Sequence, residues 1–180
     1  MSRGARPGVL ALTDALRARG GTLADSLFEA PALLLAAPEP GPPQLAASGP
    51  RAAGREAEYE LLLEMILEGS LLHYGSARVL RDDDPDLALL LGDQLYALGL
   101  SRLAELGDLD AVAELADLIS LLAAARAADQ PALAEAIWRS GAAAIGWGSS
   151  PEHEAAKSLA RTGDERALQA LEASATSMVS

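Results

Sequence analysis

Three prolines constrain the fold of this chain more than any other feature. Pro85, Pro131 and Pro151 each stand at the head of a segment rich in leucine and alanine. Proline is at home in a helix only in the first turn, where its missing N–H would have had no partner anyway. Each proline therefore marks a helix start. The spacing predicts helices from Pro85 to Leu106, stopped by Gly107, from Pro131 to about Ile145, ended by GWGSSP, and from Pro151 with Ser150 as its cap. Gly163-Asp164 divides the last of these from a final helix reaching Ala173. A further helix begins at Arg55, with Leu61, Leu62, Met65, Ile66, Leu71 and Leu72 on its apolar face. Another spans Leu109 to Ala128, with Val112, Leu115, Ile119 and Leu122 opposite Asp110, Glu114 and Asp117. No segment alternates as a half-buried strand does, so the fold class is all-α, a helical bundle.

The N-terminal third is organised differently. Leu10, Leu12, Leu16, Leu23 and Leu27 predict one or two short helices over residues 8–29, broken at Gly20-Gly21, with Thr22 and Asp25 capping the second. Residues 37–51 carry five prolines and two glycines, which predicts an exposed loop or linker. The chain divides as N-terminal short helices over 1–36, a Pro/Gly-rich linker over 37–54, a bundle core over 55–175 and a tail over 176–180.

Within the core, the helix after Pro85 has leucines around most of its circumference, which predicts burial on several sides and a central place. Gly92 and Gly99 lie two turns apart on one face of it. Glycine costs a helix interior roughly 1 kcal/mol against alanine, so the pair predicts a close backbone neighbour.

Charge narrows the function classes. The 180 residues carry a formal net charge of −12, which disfavours nucleic acid and anionic lipid as partners. No apolar run reaches the ~20 residues that span a bilayer, and the N-terminus lacks the h-region of a signal peptide. With no cysteine there is neither disulfide nor thiolate metal site. Lys157 is the single lysine among plentiful arginines, a codon-usage mark of a GC-rich bacterial genome. The chain reads as a cytoplasmic protein.

Asp82-Asp83-Asp84-Pro85-Asp86 spells a literal Asp-Asp-x-x-Asp, a pattern that can hold magnesium and a diphosphate. Such a site needs its outer carboxylates at i and i+4 on one helix face. Pro85 forces Asp84 out of helical geometry, so Asp82 and Asp86 are not expected to share a face. The residues fit a helix start better: Asp84 caps, Pro85 is the first helical residue, and Asp86 complements the dipole. Asp82, Asp83 and Asp86 remain the candidate metal ligands, with magnesium as cofactor only if the protein catalyses.

Glu56, Glu60, Glu64 and Glu68 form a ridge at four-residue spacing. With no Glu-x-x-His to build a di-iron site, the ridge is expected to face solvent or a partner. His73 is expected to be a hydrogen-bonded structural residue and His153 to be exposed. Trp138 and Trp147 read as packing residues. Neither a nucleophile elbow nor a phosphate-binding glycine loop is present, so no catalytic or cofactor-binding residue is assigned.

Residues 55–128 carry an order of landmarks that resembles the trans-polyprenyl diphosphate synthases of the isoprenoid-synthase family. Ser70-Leu71-Leu72-His73 is similar to the S-L-I-H that precedes the first aspartate motif of that family. Leu90-Leu91-Gly92-Asp93-Gln94-Leu95 is similar to its L-L-x-G-D-x-L. The resemblance covers under half of the chain. The family's catalytic aspartates should follow the histidine directly, but Tyr74-Gly75-Ser76-Ala77-Arg78 stands there. Its second aspartate motif is replaced by Ile145-Gly146-Trp147-Gly148-Ser149-Ser150. Departure of an allylic diphosphate relies on metal held at both motifs.

The resemblance therefore implies part of the isoprenoid-synthase fold in a non-catalytic protein. It is similar to the small subunit of a heteromeric prenyl diphosphate synthase of isoprenoid or quinone side-chain biosynthesis. Such a subunit would dock on a catalytic partner and line an apolar tunnel in contact with the prenyl chain. The alternative is a standalone α-helical scaffold or interaction module, acting as a homodimer or presenting its acidic ridge to a basic partner. A third reading, an active enzyme using the Asp82–Asp86 carboxylates, is the least favoured.

Overall fold

The computed structural model describes residues 6–29, 40–81 and 83–180. Among them the elements are α1 (Arg6–Arg19), α2 (Gly21–Asp25), α3 (Pro42–Ala47), a 3₁₀ turn (Pro50–Ala52), α4 (Glu56–Tyr74), α5 (Pro85–Glu105), α6 (Leu109–Ala127), α7 (Pro131–Trp147), α8 (Pro151–Arg161) and α9 (Ala167–Val179). No β-strand occurs among the described residues beyond one isolated bridge, between Leu27 and Leu80. The protein is an all-α helical bundle, as its sequence predicts.

The proline-led starts stand where the sequence places them. Asp84 is extended, at φ −111° and ψ 109°, and its side chain accepts from the N–H groups of Asp86 and Leu87. Ser150 accepts from the His153 N–H at the head of α8. Gly20 and Gly21 break α1 from α2 with φ of 73° and 66°. There α2 begins at Gly21 with no side-chain cap, so Thr22 lies inside the helix rather than capping it.

Two boundaries differ from expectation. Residues 42–47, expected in a loop, form α3, whose Pro43, Gln44, Ala46 and Ala47 are buried. Both prolines occupy the first two helical positions, where they displace no intrahelical hydrogen bond. Gln44 Oε1 then accepts from the Gly41 N–H at 2.9 Å and closes the helix start. At the other end α9 continues through most of the expected tail. Ser174, Thr176 and Ser180 bond back to the carbonyls of Leu171, Glu172 and Thr176, which satisfies hydroxyls that would otherwise compete with the helix.

The centre of the bundle is α4 together with α7, not α5. α4 packs on α1, α3 and α5, and α7 packs on α3, α6 and α9. From Ser140 to Gly146 every residue of α7 is buried. Its alanines and glycines let neighbouring helices approach on all sides, which leucines would prevent. α5 packs mainly on α4 and more lightly on α6. Its Leu89 and Leu90 are 46 % and 67 % exposed, so its leucine-rich circumference is buried on one side only.

The glycine face of α5 does meet a backbone. A Cβ on Gly92 would stand 3.1 Å from the Gly69 carbonyl oxygen, and one on Gly99 would stand 3.3 Å from that of Leu62. These pairings run in opposite directions along the chain, so α4 and α5 are antiparallel. The segment joining them is tied to the stretch after α2: Phe28 N–H donates to Val79 O, and Arg81 N–H to Ser26 O.

Candidate functional site

The landmark residues meet at one end of the α4/α5 pair. His73, near the end of α4, stacks on Tyr96 of α5, with ring centroids 5.3 Å apart and planes 8° from parallel. Its Nε2 stands 3.1 Å from Asp93 Oδ1, outside hydrogen-bonding alignment, and so is buried without a hydrogen bond. His73 is thus a packed residue held by stacking, not by the hydrogen bond expected of it. The Tyr96 hydroxyl is also buried without a hydrogen bond of good geometry. Burial pushes its pKa up to about 12, against the lowering influence of the nearby Ser70 hydroxyl. Gly92 lies against the His73 ring, because a Cβ there would stand 2.7 Å from Nε2.

Asp93 is the carboxylate beside His73, and the aspartates before α5 do not join it in a metal-binding group among the described residues. Asp83, Asp84 and Asp86 are exposed, and the Asp84 carboxylate is occupied as the cap of α5. Asp82 lies outside the described residues. Among the described residues no group of three or more metal-ligating side chains is positioned to hold an ion.

The glutamate ridge of α4 is inside the protein. Glu60, Glu64 and Glu68 are 2 %, 0 % and 0 % exposed, while Glu56 at the helix start is half-buried, which corrects the expectation of a solvated or partner-facing ridge for the last three. α3 and α1 cover it. Gln44 Nε2 donates to Glu60 Oε1 at 3.1 Å and to Glu64 Oε1 at 2.9 Å. Gly8 of α1 leaves room for both carboxylates, since a Cβ there would stand 2.7 Å from Glu60 Oε1.

Arg78 supplies the opposing charge, at 2.7 Å from Glu64 and 3.1 Å from Glu68. Glu68 Oε1 also accepts from three consecutive backbone N–H groups, those of Arg78, Val79 and Leu80, at 2.8, 2.6 and 3.1 Å. Burial raises the pKa of Glu64 although Arg78 and Gln44 oppose the rise. The cluster fixes the α4–α5 connection to the core and leaves no free nucleophile.

A second buried cluster joins α6, α8 and α9. His153, expected to be exposed, is 1 % exposed. Its Nε2 lies 2.7 Å from Glu114 Oε1, and its Nδ1 lies 3.3 Å from Ser174 Oγ. Lys157 bonds Glu114 at 2.7 Å, Asp117 at 2.8 Å and Glu154 at 2.9 Å. Burial works against the Lys157 charge, but the three carboxylates outweigh it and hold its pKa above the ordinary lysine value. Burial likewise works against the Asp117 carboxylate, yet Lys157 and Arg161 hold its pKa below the ordinary range.

The Ser174, His153 and Glu114 side chains form a hydrogen-bonded row, but the serine hydroxyl donates to Leu171 O at 2.8 Å and is buried. It is not presented as a nucleophile. The signal in the sequence was the lone lysine, four residues from a histidine on one helix face, with Glu114 and Asp117 three apart on another.

The fold and these clusters define an α-helical bundle with buried, internally paired charges. No protein-family model, curated protein or solved structure matches this chain. No helix among the described residues is long and apolar enough to cross a membrane.

Proposed function

We propose that this chain is a non-catalytic, polyprenyl-synthetase-like protein, the small regulatory subunit of a heteromeric prenyl diphosphate synthase. One observation carries the reading. The two landmark segments fold into a tight antiparallel pair in which His73 lies against Gly92, while the five residues after His73 contain no carboxylate. A likeness to part of the isoprenoid-synthase fold belongs to the same proposal. The surface offered to a catalytic subunit is the outer face of α5, where Leu89 and Leu90 are left uncovered; apolar side chains in such a position stabilise association when covered.

The test is co-expression with a full-length trans-prenyl diphosphate synthase from the same genome. The reading expects a complex that survives size exclusion, a changed product chain length, and loss of the complex on Leu90→Glu with unchanged helicity. Failure to bind and an unchanged product would refute it. The scaffold alternative loses most of the acidic ridge it would have shown to a basic partner, because Glu60, Glu64 and Glu68 are buried.

A further inference from the structure

A pocket of about 790 Å³ opens between α3, the last turn of α6 and the first turns of α7. Its size falls within the roughly 300–1,000 Å³ of small-molecule sites. Leu45, Leu67 and Trp138 supply apolar wall, and Arg126 and Arg139 also line it. Gln44 on its wall is fully engaged with Gly41, Glu60 and Glu64, so it offers no free donor.

The two arginines stand out in an acidic protein. Arg17, Arg51, Arg78, Lys157, Arg161 and Arg166 all have carboxylate partners. The Arg126 and Arg139 side chains have no ion pair or hydrogen bond among the described residues. Arg19, Arg102 and Arg55, which lies over the Tyr59 ring, share that condition, but none of them lines this pocket. With a formal charge of −12, acidic groups are plentiful, yet both guanidinium groups remain open in one concavity. Glu135 is the acid among the lining residues. It leaves a net positive wall, and Pro131 places the positive end of the α7 dipole at the rim. Trp138 is 6 % exposed, and its indole N–H has no partner among the described residues.

We propose that this pocket binds a small amphipathic anion: a phosphoryl headgroup held by Arg126 and Arg139, with an aliphatic body against Leu45, Leu67 and Trp138. Planar guanidinium groups bond phosphoryl oxygens in pairs, and the apolar wall gains from covering a chain. The inference rests on the pocket alone and stands apart from the subunit reading.

The experiment titrates tryptophan emission with dodecyl phosphate held below its critical micelle concentration, with stoichiometry from calorimetry. Inorganic phosphate and dodecyl maltoside are run beside it. Expected is saturable one-to-one binding of dodecyl phosphate, at least tenfold tighter than either control. Arg126→Gln/Arg139→Gln should weaken it at least tenfold with helicity unchanged, since both side chains are exposed. Arg126→Lys/Arg139→Lys should keep part of the affinity. Equal binding of dodecyl maltoside, or no loss in the glutamine variant, would overturn the proposal. So would binding to phosphatidic acid vesicles without binding to the monomeric phosphate.

Discussion

Gly49 and Gly146 bring two main chains into contact. A Cβ on Gly49 would fall onto the Gly146 backbone, and one on Gly146 would stand 2.7 Å from the Ala46 carbonyl oxygen. Backbone cannot swing aside as a side chain can. This contact seats α3 on α7, and α3 in turn covers the carboxylates of α4.

Gly49→Ala and Gly146→Ala are therefore expected to cost more than Gly99→Ala. At Gly99 the nearest atom is the Cδ1 tip of Ile66, at 2.7 Å, which can move. Overpacking costs about 1–3 kcal/mol or more, while replacing a helical glycine returns roughly 1 kcal/mol. Urea unfolding should show losses of about 3 kcal/mol or more at Gly49 and Gly146 and about 1 kcal/mol or less at Gly99. Equal losses at all three would contradict the backbone contact.

The Arg78 pairing makes stability depend on pH in a definite direction. The folded-state pKa of Glu64 lies above the ordinary 4.5. The folded protein thus holds this proton more tightly than the unfolded chain does. That contribution is fully present below about pH 4.5 and is lost as pH rises through the folded value. Removing Arg78 takes away the charge that limits the rise. Arg78→Gln should be destabilised by about 3–5 kcal/mol at neutral pH, as for a buried pair broken on one side, and by clearly less near pH 4.5. Glu64→Gln should flatten the slope between these limits. Chemical unfolding across pH 4 to 8 measures both, and a pH-independent loss in Arg78→Gln would rule out the coupling.

The elements legible in the sequence are those fixed by local chemistry. Pro85 with Asp84, Pro151 with Ser150, and the Gly92/Gly99 face need only their neighbours to be read. α3 is not legible in the sequence, because two prolines look like a break unless the chain begins a helix with them. The buried face of α4 is ambiguous in the sequence, because leucines and glutamates both recur at helical spacing. Which stripe is covered depends on Gln44 and Arg78, which lie outside that helix. The Glu114 cluster joins residues 39 and 43 apart in sequence, and no local spacing announces such a pairing. Its leucine count points to α5 as the central helix, but the small residues of α7 decide the packing.

Lys157 and Glu114 form the buried pair at the heart of the second cluster. Lys157→Met leaves Glu114 with His153 as its remaining hydrogen-bond partner and should cost about 3–5 kcal/mol. Lys157→Met/Glu114→Leu removes both charges and should recover a good part of that loss, because matched apolar replacement of a buried pair is often near neutral. The coupling from a double-mutant cycle in thermal unfolding should exceed about 1 kcal/mol. The lysine also holds Asp117 and Glu154 below the ordinary carboxylate range, against the opposing effect of their burial. Their contribution is present above the unfolded pKa values and lost as pH falls through the folded ones. Lys157→Met should accordingly show a shallower loss of stability in acid than the parent protein. Additive losses in the cycle would mean that the pair acts as two independent side chains.

Asp84 separates a helix cap from a metal ligand. Its carboxylate accepts from the N–H groups of Asp86 and Leu87 at 3.1 and 3.2 Å, and the neighbouring Asp83 and Asp86 are exposed. Loss of an aspartate cap costs about 1 kcal/mol, whereas serine at that position replaces it well. Asp84→Ala should lower the unfolding free energy by about that amount and Asp84→Ser by a few tenths. Asp83→Asn and Asp86→Asn should each stay within about 0.5 kcal/mol of the parent. The same series repeated in millimolar magnesium should show the same differences and no rise in Tm. A magnesium-dependent stabilisation, abolished by Asp83→Asn or Asp86→Asn, would instead assign these carboxylates to a cation and reopen the catalytic reading.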